Sequence, residues 1–192
     1  EASMGTTRVG SATSLKSRLT PWPLFWCAVL TALLAVSDYL PAGKFFTDPS
    51  TYLPFHTAFE LLAILVSIMV FALSWNLREQ SNDGQGLILG IGFLIVSVVD
   101  LAHSLSFQGM PDLITPSGTE KAINFWLVGR AVAALTLFTV AVWQPPRWSS
   151  AAAYAALCGA ILVSMAICWF GIVHPEWWPR TFVTGQGLTP FK

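Results

Sequence analysis

The chain has 192 residues, of which 54% are hydrophobic and only 10% charged, with a mean hydropathy of +0.62 and a formal net charge of +0. A soluble domain usually carries roughly 25% charged residues, so the composition points to an integral membrane protein. The nine Trp agree, because Trp collects at membrane–water interfaces. A neutral balance with no basic patch excludes a nucleic-acid partner.

Residues 1–20 are polar and carry Arg8, Lys16 and Arg18, which predicts a disordered cytoplasmic lead. The first apolar segment covers residues 22–40. A signal-peptide cleavage site would fit at residues 35–37, but Trp22, Phe25 and Trp26 suit a retained helix. Residues 41–54, with three prolines and the turn signal DPS, read as an outer loop. A second span follows at 55–76, a charged inner loop, LREQSNDGQG, at 77–86, and a third span at 87–107. Residues 108–121 form an outer loop with Pro111 and Pro116. The fourth span, 122–143, runs into the short inner loop QPPRW, and the fifth occupies 150–173. Each segment is near the roughly 20 residues that cross about 30 Å of hydrocarbon. The predicted fold is all-α: a polytopic transmembrane helical bundle of about five spans over residues 21–173. Residues 174–192 would form an extracytoplasmic interfacial tail, and a chain that ends there has the look of a truncated domain.

Orientation follows from the Lys/Arg bias. Arg8, Lys16, Arg18, Arg78 and Arg147 fall on one side, against Lys44, Lys121, Arg180 and Lys192 on the other. The N-terminal cluster tips the balance and places the N-terminus in the cytoplasm. Cys27, Cys158 and Cys168 all lie in apolar runs without a CxxC, and read as small buried residues rather than a disulfide framework or zinc ribbon.

The apolar run FLIVSVVDLAHSLSF, residues 93–107, is broken by Asp100 and His103. Their i, i+3 spacing puts them on one helix face, one turn apart. His56 and Glu60, at i, i+4 in the second span, share a face within about 40°. Counted from the outer boundary, Glu60 lies about 8 Å deep and Arg130, in the fourth span, about 12 Å deep. Three antiparallel helices would therefore present His56, Glu60, Asp100, His103 and Arg130 in one outer-leaflet layer. Ionisable groups in hydrocarbon are costly and mark functional sites by default.

Arg130 stays charged and needs a carboxylate, which Asp100 or Glu60 can provide. The other acid is then protonated, or paired with an imidazolium or a metal. His56, Glu60, Asp100 and His103 are an inventory suited to a divalent metal. Two His facing one another across a helix pair would equally suit axial haem ligation. The layer could also bind a small apolar or quinone-like ligand, carry protons, or simply lock helices together. His174, just beyond the fifth span, reads as interfacial, and Gly90 and Gly92 as a packing notch. Asn76 and Arg78 are placed to cap the second helix, while Asn124 and Trp126 would line the pocket or join the aromatic belt. No GxSxG, HExxH, P-loop or GxGxxG is present, so no catalytic constellation is expected.

The segments LPFHTAFELLAILVSIMVFALSWN, LGIGFLIVSVVDLAHSLSFQGMPDL, WLVGRAVAALTLF and GQGLTPFK, taken in order, resemble the third-type membrane-associated sensor domain of the MASE group. Residue by residue, the resemblance marks His56, Glu60, Trp75, Asn76, Asp100, His103 and Arg130. It implies a non-catalytic sensory input module in a bacterial inner membrane. The output would be a histidine kinase or diguanylate cyclase, hence two-component or cyclic di-GMP signalling. Family domains continue past GLTPFK through further spans, so the resemblance too implies C-terminal truncation. The implied partners are the lipid bilayer, a cytoplasmic output domain and optionally a second copy in a homodimer. The rival readings are a haem- or metal-binding membrane redox protein, and a proton or solute transporter fragment. A transporter would need a polar route to the inner face, where no intramembrane charge occurs.

Overall fold

The computed structural model describes residues 21–37, 39, 49–80, 84–112, 114–183 and 185–190. The expected disordered lead, most of the expected outer loop at 41–54 and the tip of the charged inner loop lie outside the described residues. The chain divides into two compact units, Glu1–Phe45 and Phe46–Lys192. In the first, α1 spans Pro21–Ser37. Its 17 residues stand at the lower end of the roughly 17–25 that cross a bilayer, and residues 20 and 38 on either side lie outside the described residues.

The second unit holds α2 (Pro49–Leu77), α3 (Gln85–Ser106), α4 (Thr119–Val142) and α5 (Ser150–Val173). All four are long and apolar enough to span a membrane, and the chain is an all-α, multi-pass membrane bundle. Helices are the natural solution here, because hydrocarbon offers no partner for a free backbone amide or carbonyl. Side-chain hydroxyls find partners within the same helices. Ser67 donates to the Ala63 carbonyl, Ser104 to Asp100 and Ser164 to Ala160.

Two boundaries differ from the sequence reading. Helix α2 starts at Pro49, before Pro54, which lies inside it as the sixth residue and forgoes one i to i−4 backbone hydrogen bond in the second turn. Helix α4 starts at Thr119, three residues before the expected Ala122.

Helix α3 is the centre of the bundle. Half of its apolar window is buried within the protein, against 11% for α2 and 17% each for α4 and α5. Gly90 and Gly92 form the expected notch and admit a neighbour on each flank. A Cβ on Gly90 would lie 2.5 Å from the Ser74 Cβ of α2, and one on Gly92 would collide with Thr136 of α4. The outward faces of α2, α4 and α5 carry Leu, Ile, Val, Phe and Met side chains that meet lipid. Cys158 and Cys27 are exposed rather than buried, and all three cysteines are free thiols. Lipid, not protein, covers apolar residues on helices with so little buried surface.

At one end of the bundle, Trp75 packs on Phe71 and Tyr154, and the Arg78 guanidinium lies 4.3 Å from the Trp75 ring centroid. There Gln85 donates to the Val140 carbonyl, and Ser149 caps α5 by accepting the Ala152 N–H. At the other end, the chain after α5 makes a 3-10 turn, Pro175–Trp177, then an antiparallel hairpin of β1 (Phe182–Val183) and β2 (Gly187–Leu188). Gly185 and Gly187 have φ of +85° and +88°, which the turn requires and L side chains rarely adopt. The expected Gly-rich turn is therefore a paired hairpin. It docks on α4 through fully buried Thr181, whose hydroxyl donates to Asn124 Oδ1.

Candidate functional site

The five polar residues expected in one layer lie at the hairpin end of the bundle, on three helices with α3 between the other two. They divide into two connected groups. In the first, Arg130 Nη2 donates to Asp100 Oδ2 at 2.5 Å. This settles which acid partners the guanidinium. The Asp100 side chain is only 2% exposed, while that of Arg130 is 46% exposed. The long Arg stem lets its charged head reach outward while the acid stays inside. Gly129 makes room for the carboxylate: a Cβ there would lie 2.6 Å from Asp100 Oδ1. That oxygen is buried and has no hydrogen-bond partner among the described residues.

The second group is His56, Glu60 and His103. Their ligand-type atoms all lie within 4.8 Å of one another, and His103 Nε2 is 3.7 Å from Glu60 Oε1. His103 Nδ1 is 2.7 Å from the Ala122 carbonyl of α4. A carbonyl only accepts, so Nδ1 carries the proton. In the neutral ring, Nε2 is then a lone pair aimed at Glu60. His56 stacks on Tyr52 and lies 4.3 Å, centroid to centroid, from Phe107; its ring is nearly perpendicular to that of His103. Both Nε2 atoms are buried and lack a hydrogen-bond partner among the described residues.

Asp100, expected as a fourth metal ligand, is instead held by Arg130, and the candidate metal group is His56, Glu60 and His103. The two imidazoles, read in the sequence as alternative axial haem ligands, stand with ring centroids 5.7 Å apart and planes at 86° to one another.

The other marked residues are elsewhere. Trp75 and Asn76 sit at the opposite end of α2, and Asn76 Nδ2 donates to the Ala72 carbonyl of its own helix. Arg78 Nη1 donates to the Trp75 carbonyl and so closes the end of α2 as expected, whereas the Asn76 bond stays within the helix. His174 caps α5, stacks on Trp177 and pairs with Glu176, away from the layer. Asn124 is buried and, with Thr115, Lys121, Trp178 and Phe182, lines a cleft of about 510 Å³ beneath the hairpin. That cleft has no lining residue in common with the polar layer.

Sequence reasoning missed Gly129, the Ala122 carbonyl, Tyr52 and Thr181. Gly129 carried a signal, since it directly precedes the membrane-embedded Arg130. Tyr52 lies one helical turn before His56, but the prolines around it hid the helix. The other two depend on which helices meet, which spacing does not encode.

No curated protein and no solved structure shows detectable similarity to this chain. The family model for the membrane-associated sensor domain MASE3 matches residues 47–192. With that match covering α2 to the hairpin, the chain belongs to the MASE3 family of membrane-associated sensor domains.

Proposed function

We propose that the chain is the sensory input of a bacterial signal-transduction protein, and that its input is received at the His56–Glu60–His103 and Asp100–Arg130 layer. The output is a histidine kinase or a diguanylate cyclase on the cytoplasmic side. The membrane is the bacterial inner membrane, with the N-terminus cytoplasmic and the hairpin end outside. The observation that carries this reading is a pair of buried imidazole nitrogens and a buried carboxylate oxygen, all without hydrogen-bond partners among the described residues, in a membrane layer.

A purely structural polar lock is selected for satisfied hydrogen bonds, because an unpaired buried group costs about 1–3 kcal/mol. Three unpaired atoms make a poor lock and a good receptor. The layer also has the connectivity of a switch. Glu60 and His56 belong to α2, Asp100 and His103 to α3, and Arg130 and the Ala122 carbonyl to α4. A change of charge or occupancy at Glu60–His103 alters the α2–α3 contact. His103 and Asp100 relay it to α4, biasing two packings of the three helices that an output domain can read.

The test joins the chain to its output domain in a bacterial host and measures signalling product across growth conditions. Glu60→Gln, at equal membrane abundance, is expected to hold output at one level. An output that follows conditions as in the parent would contradict the reading.

A further inference from the structure

We propose that His56, Glu60 and His103 form a binding site for a divalent transition-metal ion of the zinc type, with three protein ligands and a fourth position open. This rests on the reading of the layer as the receiving site and names what it receives.

The Ala122 carbonyl fixes the His103 proton on Nδ1 and leaves Nε2 as an acceptor. The Glu60 carboxylate is an acceptor. His56 Nδ1 lies 3.4 Å from the Tyr52 hydroxyl, and when that nitrogen donates to the phenol oxygen, Nε2 is an acceptor too. Three acceptors then converge within 4.8 Å, and neither Nε2 has a hydrogen-bond partner among the described residues. Left so, they repel one another in a medium that screens charge poorly. A single cation satisfies all three.

Geometry and chemistry narrow the cation. In a tetrahedral zinc site, bonds of about 2.0–2.1 Å put ligand atoms roughly 3.4 Å apart. His103 Nε2 and Glu60 Oε1 already stand at 3.7 Å, and small rotations on two adjacent helices close the rest. Calcium and magnesium want about six or more oxygen ligands, which are not here. Cuprous ion prefers thiolate or thioether sulfur, and no Cys is in the group. Two imidazoles and one carboxylate match the three-ligand zinc sites that keep one position for water or another small ligand. The Nδ1–H bond from His103 to a backbone carbonyl is the outer contact by which metal-binding His residues are commonly oriented. The charge sum points the same way. Asp100 and Arg130 cancel, so a dication with one Glu keeps one positive charge, and the open position favours an anion such as hydroxide.

The experiment uses the whole chain in lipid nanodiscs, stripped with a chelator, then titrated with Zn2+ by calorimetry and with Co2+ by visible absorption. The expected result is one Zn2+ per chain and a tetrahedral Co2+ spectrum. His103→Ala and Glu60→Gln, checked for helix content and melting, should each weaken binding by at least about 10- to 100-fold. His174→Ala should leave it unchanged. Absent binding, or binding equally strong in His103→Ala, overturns the proposal. An octahedral Co2+ spectrum unaltered by Glu60→Gln also overturns it, since such an ion sits elsewhere. The two readings fail separately. Output locked by Glu60→Gln with no Zn2+ bound by the parent removes the metal and keeps the receptor. Zn2+ bound with output unaffected does the reverse.

Discussion

His103 of α3 donates from Nδ1 to the Ala122 carbonyl of α4, and thereby turns its other nitrogen toward Glu60 of α2. One imidazole thus touches both neighbours of the central helix. A backbone carbonyl cannot be removed by substitution, so this bond is fixed by helix packing alone. With nitrogen-15-labelled histidine, metal-stripped protein should show His103 as the Nδ1–H tautomer with an imine-like Nε2. The signal is assigned by its loss in His103→Ala. An Nε2–H tautomer would contradict the geometry.

Asp100 and Arg130 should behave as a coupled pair. Removing one partner of a buried ion pair typically costs about 3–5 kcal/mol. An Asn at this position keeps an acceptor for Arg130 Nη2, so Asp100→Asn is expected to cost less, about 1–3 kcal/mol. In a double-mutant cycle with Arg130→Gln, the two losses should fall short of additivity. Simple additivity in reversible unfolding would show that the pair does not form.

Gly129 gives a steric test of the same pair. Gly129→Ala puts a methyl group against Asp100 Oδ1 and should destabilise by about 1–3 kcal/mol. Gly159 of α5 has nothing within 4 Å of its virtual Cβ. Gly159→Ala should therefore be neutral or stabilising by up to about 1 kcal/mol. Equal melting shifts for the two variants would argue against the close approach of α3 and α4.

The hairpin docks through Thr181 and Asn124. Thr181→Ala leaves the buried Asn124 oxygen without that donor, a loss of about 1–3 kcal/mol. The effect is local: trypsin should cut faster after Arg180, while the melting of the helices changes little. Unchanged cleavage would mean that other contacts hold the hairpin.

Much of this was legible in the sequence because hydrocarbon is a strict solvent. Four spanning helices follow from length and apolarity, and the polar layer follows from counting His56, Glu60, Asp100, His103 and Arg130 from the same boundary. The division of labour within the layer was not legible. Glu60 and Asp100 lie at similar depth on different helices, so spacing alone could not say which one meets Arg130. Placing α3 between α2 and α4 decides it, through Gly90, Gly92 and Gly129. The first span corresponds to α1, Pro21–Ser37, which is shorter at its end than the apolar run counted to residue 40. The hairpin was hidden because GQG is a turn signal, and only docking on α4 makes its flanks pair.

The state of the layer is expected to alter how α2, α3 and α4 pack. The most direct measurement is the distance between spin labels at Leu77 of α2 and Val142 of α4, both exposed at the end of the bundle opposite the layer. The three native cysteines are first replaced. Distance distributions are recorded for the parent and for Glu60→Gln, each with and without Zn2+. A shift of about 1–2 Å or more, typical of helix switching, is expected when the layer changes in the parent, and no shift with Zn2+ in Glu60→Gln. Identical distributions in all four samples would mean that the layer does not speak to the far end of the bundle.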